Sequence, residues 1–189
     1  KLVSRGFDRF IPNNTSSIIS NIKRATVKED GSLIFMWKYQ DRWFLSTMHN
    51  FADGKLPFAD FTYGELFMQI IAQPIDTFAN SLLNQFSTDS QKNITTFCFE
   101  MCSIYNRIIR LYETPTLFLI TAFGGDLCTM EYVISPSVQL PPNVLHIVTI
   151  PFAPNAVSKD VYDKIKEMSR DDCTFEGFVL QMENGNRVK

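Results

Sequence analysis

The chain has 189 residues, 45% of them hydrophobic, enough for one domain with a substantial core. Its net charge of −2 excludes a domain whose whole surface attracts nucleic acid, so any such contact must come from a local basic surface or from catalytic cations. The four cysteines (Cys98, Cys102, Cys128 and Cys173) form no CxxC, and the only histidines are His49 and His146, which argues against structural zinc and a disulfide scaffold and for thiols in a reducing compartment. No apolar run approaches the ~18 residues of a membrane helix, and no basic-then-apolar leader opens the chain. The sequence therefore reads as a cytoplasmic, monomeric protein with no membrane partner. Lacking an initiator Met and stopping at Val188-Lys189, it also reads as a fragment of something longer.

In chain order, Pro12-Asn13-Asn14 marks a first turn. Leu33–Tyr39 and Trp43–Met48 are β-rich runs around Gln40-Asp41 and predict a hairpin. Phe51–Phe61, with Asp53-Gly54 and Pro57, predicts a loop. Leu66, Phe67, Ile70 and Ile71, then Phe78, Leu82, Leu83 and Phe86, recur at helical spacing and predict two amphipathic helices parted near Pro74. Ile94–Met101, Ile108–Tyr112 and Leu117–Phe123 predict three strands, turned at Asn106 and Glu113-Thr114-Pro115. Pro136–Asn143 predicts a loop and Val144–Ile150 a strand. Ser158–Ser169 predicts a helix capped by Ser158. Phe175–Met182 and the residues from Arg187 predict a last hairpin turned at Asn184-Gly185. With 17 Phe and no repeats or linkers, residues 1–189 read as a single α+β domain with mainly antiparallel strands.

Lys28-Glu29-Asp30-Gly31-Ser32 carries the chemistry. A lysine two residues before Asp-Gly is how enzymes that attach a nucleotide covalently to lysine begin. The amine of Lys28 would attack the α-phosphorus of ATP, expel pyrophosphate and hold AMP as a phosphoramidate. Only about one free lysine amine in a thousand is neutral at pH 7, so such a site must strip the amine of its proton. The plain alternative is a hairpin turn, since Asp30-Gly31 stands between Ala25-Thr26-Val27 and Leu33-Ile34-Phe35.

Two further segments follow: Phe97-Cys98-Phe99-Glu100 with Tyr105-Asn106-Arg107-Ile108-Ile109, and Phe175-Glu176-Gly177-Phe178-Val179 ahead of Lys189. In this order the chain resembles the phage-type ATP-dependent RNA ligases, the tRNA-repairing branch of the covalent nucleotidyltransferases. That family begins its site with Lys-Glu-Asp-Gly-Ser, continues with Phe-Glu-aromatic and Asn-Arg-Ile-Val, and closes with Glu-Gly-aromatic-Val and a lysine on the returning strand. The resemblance covers essentially the whole chain, including Ser4–Asn13 upstream of the nucleophile. It implies a nucleotidyltransferase (adenylation) domain with antiparallel sheets flanking an ATP groove. Lys28 and Lys189 would be catalytic, Lys28 as nucleophile and Lys189 on the α-phosphate. ATP would also meet Arg9, Glu29, Asp30, Gly31, Glu100 (at the ribose hydroxyls), Glu176 and Gly177. Glu176 would bind the divalent cation, Mg²⁺ or Mn²⁺. The partner implied is RNA with 5′-phosphate and 3′-hydroxyl ends, tRNA included.

The chain departs from that pattern in two places. Where the family has Ser-Thr-basic-Gly-Ser-Phe, this sequence has Ser46-Thr47-Met48-His49-Asn50-Phe51, so Met48 replaces a cation. Ile11-Pro12 replaces part of a Phe-Phe-Asn segment. DNA ligases and mRNA guanylyltransferases share the lysine chemistry but carry Lys-x-Asp-Gly-x-Arg, and Leu33 holds that arginine position. A protein that binds nucleotide or RNA ends without turnover is the alternative from another class.

Overall fold

Alternating and helical patterns sort into strands and helices that fall in two units, each assembled from two separate stretches of chain. The computed structural model describes residues 4, 6–7, 10, 22–125, 130–153 and 156–189. The expected turn at Pro12-Asn13-Asn14, together with Arg9 and Cys128, lies outside the described residues. One unit comprises Lys1–Gly6 and Asp30–His146, the other Phe7–Glu29 and Ile147–Lys189.

In the first unit, β2 (Ser32–Tyr39) and β3 (Arg42–Ser46) form the expected hairpin. Gln40 and Asp41 take positive φ of 47° and 61°, the backbone of a primed two-residue turn. Helix α1 (Tyr63–Ile71) starts at a reciprocal cap: the Glu65 N–H donates to Thr62 Oγ1 at 3.1 Å, and the Thr62 N–H donates to Glu65 Oε2 at 2.6 Å. Pro74 stands at the N-cap of α2 (Ile75–Leu83), as the spacing required. A short α3 (Thr88–Asn93) leads into β4 (Ile94–Cys102), followed by β5 (Thr116–Gly124), β6 (Met130–Tyr132) and β7 (Val144–His146).

These strands make a six-stranded sheet ordered β3-β2-β4-β5-β6, with β7 parallel to β5. Ile34, Met36, Phe97, Phe99, Leu117 and Leu119 point from one face of this sheet into a core shared with Leu66, Phe67, Phe78 and Leu82 of the helices. Phe67, Phe78 and Phe99 meet there at centroid separations of 5.4–6.2 Å.

The second unit carries β1 (Ile22–Val27), β8 (Thr149–Ile150), β9 (Phe178–Met182) and β10 (Arg187–Val188) in the order β10-β9-β1-β8, all antiparallel. Helix α4 (Ser158–Asp171) contributes Val161 and Ile165 to a core with Ala25, Val27, Phe178, Leu180 and Val188. The hairpin at Asn184-Gly185 forms as expected, with Gly185 at φ +85°. Among the described residues, no helix is long and apolar enough to cross a membrane.

Four local expectations are corrected. The α4 cap falls at Val157, one residue before Ser158, and the Val157 N–H donates to Asp160 Oδ2 at 2.9 Å. Val144–Ile150 is two strands: β7 pairs with β5 in one sheet and β8 with β1 in the other. Ile108–Tyr112 is a loop, because a carboxylate takes the backbone donors at 109 and 110 that a sheet ladder would have needed. Asp30-Gly31 does not turn a hairpin either, since β1 and β2 belong to different sheets. The mixed α/β architecture with mainly antiparallel strands stands.

Candidate active site

β1 and β9 pair with Val27 opposite Phe178, so the residues just past that register meet at one end of the four-stranded sheet. The Lys28 N–H donates to the Gly177 carbonyl at 2.9 Å, extending the ladder by one bond. The Lys28 Nζ then meets Glu176 Oε2 in an ion pair whose side chains keep 33% and 19% of their exposure. Gly177 sits at φ +129°, a backbone region essentially reserved for glycine, and an added Cβ would meet nothing within 4 Å. The Lys28 amine, the Glu176 carboxylate and an open glycine backbone therefore share one strand end.

Strand alternation extends this arrangement. Ala25 and Val27 face the α4 core, which places Arg24, Thr26 and Lys28 on the opposite face. On the same argument Val179 and Gln181 of β9, and Arg187 with the succeeding Lys189, also face away from α4, since Leu180 and Val188 point into the core. Four cations thus share one sheet face. Arg187 lies over the Phe7 ring at 4.6 Å and the Lys189 ammonium over the Phe10 ring at 5.5 Å, and these two rings are 6.4 Å apart. β1 and β10 flank β9, and the register sets Lys189 two strand spacings across and two residues along from Lys28, about 12 Å between their Cα atoms. Arg24 and Arg187 were missed on sequence; their period-two spacing to Lys28 and Lys189 was the available signal.

The other half of the lysine motif is buried in the first unit. Asp30 is 2% exposed, and its Oδ2 accepts from the N–H groups of Ile109 and Arg110, each at 2.6 Å. Its own N–H donates to the Tyr112 hydroxyl at 3.2 Å. Gly31 passes so close to β4 that an added Cβ would come within 2.3 Å of the Met101 carbonyl oxygen. Ser32 Oγ accepts from Asn106 Nδ2 at 2.9 Å; the same amide donates to the Met101 carbonyl at 2.7 Å, and Asn106 Oδ1 accepts from Ser103 Oγ at 2.5 Å. Asp30 and Ser32 are therefore both hydrogen-bonded to the segment Asn106–Tyr112. Glu29 is buried at the boundary between the two units in the sequence. Glu100 is half-buried on β4, opposite Leu33 on one side and Phe118 on the other, on the sheet face away from the α1–α2 core.

Among the described residues no group of three or more His, Cys, Asp or Glu side chains could hold a metal by itself. One carboxylate suits a cation that arrives with a triphosphate, because Mg²⁺ keeps several waters and is held by one or two carboxylates plus phosphate oxygens. An open groove of about 610 Å³ beside α1, bordered by Leu45, Phe51 and Met68, is lined by none of the candidate site residues.

The geometry is that of a lysine paired with a carboxylate on a sheet face that carries further cations, and comparison with known proteins gives the family of the chain. An RNA ligase family model (the T4 RNA ligase 1 family) matches residues 1–189. The chain belongs to this family of enzymes. It is also 32% identical over 144 residues to a protein of Autographa californica nuclear polyhedrosis virus designated a candidate bifunctional polynucleotide kinase/RNA ligase. That match covers 66% of this chain and 20% of the viral protein, so the chain spans about a fifth of that relative's length.

Proposed function

We propose that this chain is the nucleotidyltransferase domain of an ATP-dependent RNA ligase, working through a covalent lysyl-AMP at Lys28. The observation that carries the reading is the Lys28–Glu176 pair at the joined ends of β1 and β9, in a chain of the RNA ligase family. An ammonium facing a carboxylate has its lone pair occupied by a proton and is no nucleophile. The pair would have to open before reaction, and Glu176 is the carboxylate that would hold the divalent cation accompanying ATP, leaving the amine free to lose its proton.

The amine, having lost one proton, then forms the Nζ–Pα bond. The bond from Pα to the bridging oxygen breaks, and pyrophosphate leaves with that electron pair. A second proton departs as the phosphoramidate forms. Lys189 and the arginines on the same face would neutralise the charge developing on the phosphates, and Gly177 leaves its backbone open to the nucleotide. Glu100 would receive the ribose hydroxyls. Arg9 would face the triphosphate, while Glu29, Asp30 and Gly31 shape the turn that presents the nucleophile. AMP would next pass to a 5′-phosphate on RNA, and a 3′-hydroxyl would displace it to seal the strand. Residues 1–189 would act as one catalytic domain within a longer protein, with tRNA as one candidate substrate.

The test is incubation with α-labelled ATP and Mg²⁺ followed by denaturing electrophoresis. Covalent label from ATP, undiminished by excess GTP and absent from Lys28→Ala and Lys28→Arg, is the expected result. Persistent label on Lys28→Ala overturns the assignment. Preferential labelling by GTP indicates a guanylyltransferase, and sealing of nicked duplex DNA in preference to RNA indicates a DNA ligase.

A further inference from the structure

We propose that the β2–β3 hairpin carries a stacking platform for unpaired bases of an RNA strand, separate from the nucleotide site; the choice of RNA rests on the ligase reading above. Ile34 and Met36 of β2 point into the α1–α2 core, so Leu33, Phe35, Trp37 and Tyr39 stand on the opposite face. Register sets Leu33 opposite Glu100, Trp37 opposite Phe44 and Tyr39 opposite Arg42. The sheet face that bears Glu100 therefore becomes aromatic as it approaches the β3 edge.

Trp37 and Phe44 stack at 5.0 Å with 25° between their planes, and Phe51 leans on Trp37 at 6.1 Å. The Trp37 indole N–H donates to Ser46 Oγ at 3.1 Å, which fixes the ring before any ligand arrives. Phe51 remains 58% exposed and Tyr39 45% exposed. The neighbouring Lys38 is held by Asp41 at 3.3 Å, whereas Arg42 is exposed and makes no ion pair among the described residues.

Phe35 and Thr96 on this face are buried, with Gly6 and Ser4 beside them, so the accessible part is its outer edge at Tyr39, Phe51 and Arg42. A row of pre-set rings with an available guanidinium at that edge matches single-stranded RNA, whose bases stack on aromatic rings and on arginine planes with little regard to sequence. A base that stacks on the row extends it, shielding Phe51 from water, while Arg42 can meet a phosphate. The loop that exposes Ile108, Ile109 and Leu111 also carries Arg107 and Arg110, but its Tyr112 ring is already covered by Arg110 and it holds no row of stacked rings.

The chain has two tryptophans, and Trp43 is 6% exposed, so Trp43→Phe leaves Trp37 as the single emitter. In that variant a short single-stranded RNA should quench Trp37 emission saturably, and inorganic polyphosphate should not. With a fluorescently labelled single-stranded RNA, Phe51→Ala and Trp37→Leu should each weaken binding about tenfold. Arg42→Ala should weaken it a few-fold and flatten its salt dependence. All three variants should still take label from ATP at the wild-type rate.

Unquenched Trp37 in protein that labels from ATP overturns the platform. So does emission that changes with protein concentration alone, which would mean that a second copy of the chain covers the rings. If ATP labelling fails while RNA still quenches Trp37, the ligase reading falls and the platform stands.

Discussion

The two ends of Lys28–Ser32 are built to opposite specifications. Lys28 keeps a third of its side-chain exposure, and among the described residues its amine pairs with Glu176, 148 residues away and just ahead of β9. Two residues later Asp30 is sealed from solvent, with one carboxylate oxygen shared by two backbone donors, and Ser32 joins a network centred on Asn106. The side chain of Lys28 is held by an ion pair at a partly exposed place, whereas Asp30 and Ser32 are fixed by several hydrogen bonds at a buried one.

The largest effect that separates the two ends is expected at Glu176. Glu176→Ala should lower the rate of lysyl-AMP formation by about 10²–10³. Its melting temperature should stay near that of the wild type, because a partly exposed pair adds little to stability. Lys189→Ala should act in the same direction. Adenylylation of Lys189→Ala at the wild-type rate would leave that lysine only its contact with Phe10. At the buried end the balance reverses. Asp30→Ala strips two backbone N–H groups of their acceptor and should cost roughly 2–4 kcal/mol of stability, read as a lower denaturant midpoint. If it instead abolishes labelling without destabilising, Asp30 belongs to the reactive end.

A control away from both ends lies in the cap of α1. Thr62→Ala should cost about 1 kcal/mol, a fall of about 2–4 °C in melting temperature, and leave labelling untouched. The smallest effect is a pH dependence at the same cap. The Thr62 backbone N–H, and secondarily its side chain, hold the Glu65 carboxyl below its ordinary value of 4.5. A carboxyl lowered in the folded state adds stability above its unfolded pKa and loses it as pH falls through the folded value. The difference in melting temperature between wild type and Glu65→Gln should therefore shrink as the pH drops below 4.5 and through the folded value. A difference that grows in acid would show that Glu65 does not cap the helix as a carboxylate.

What the sequence revealed follows how local each signal was. The turns at Gln40-Asp41 and Asn184-Gly185, and the helices on either side of Pro74, are specified by neighbouring residues, and all formed as expected. The strand expected at Ile108–Tyr112 failed for a non-local reason: Asp30, 79 residues earlier than Ile109, takes the donors. Val144–Ile150 looked continuous because both halves are apolar, yet each half finds its hydrogen bonds in a different sheet. At the site, no spacing rule places Glu176 beside Lys28. Only the likeness in motif order joined them, and the alternation that sets Arg24 and Arg187 on the same face became meaningful once the strand register was known.

The interleaving of the two units in sequence also dictates when the site can exist. β1 is synthesised about 150 residues before its partner β9, with nearly all of the first unit in between. At ~5–20 residues per second, β1 waits roughly 8–30 s on the ribosome before its partner strand emerges. Until then Lys28 has no Glu176 to meet. A chain cut short anywhere before β9 carries Lys28 but never the Lys28–Glu176 pair, however well its first unit folds.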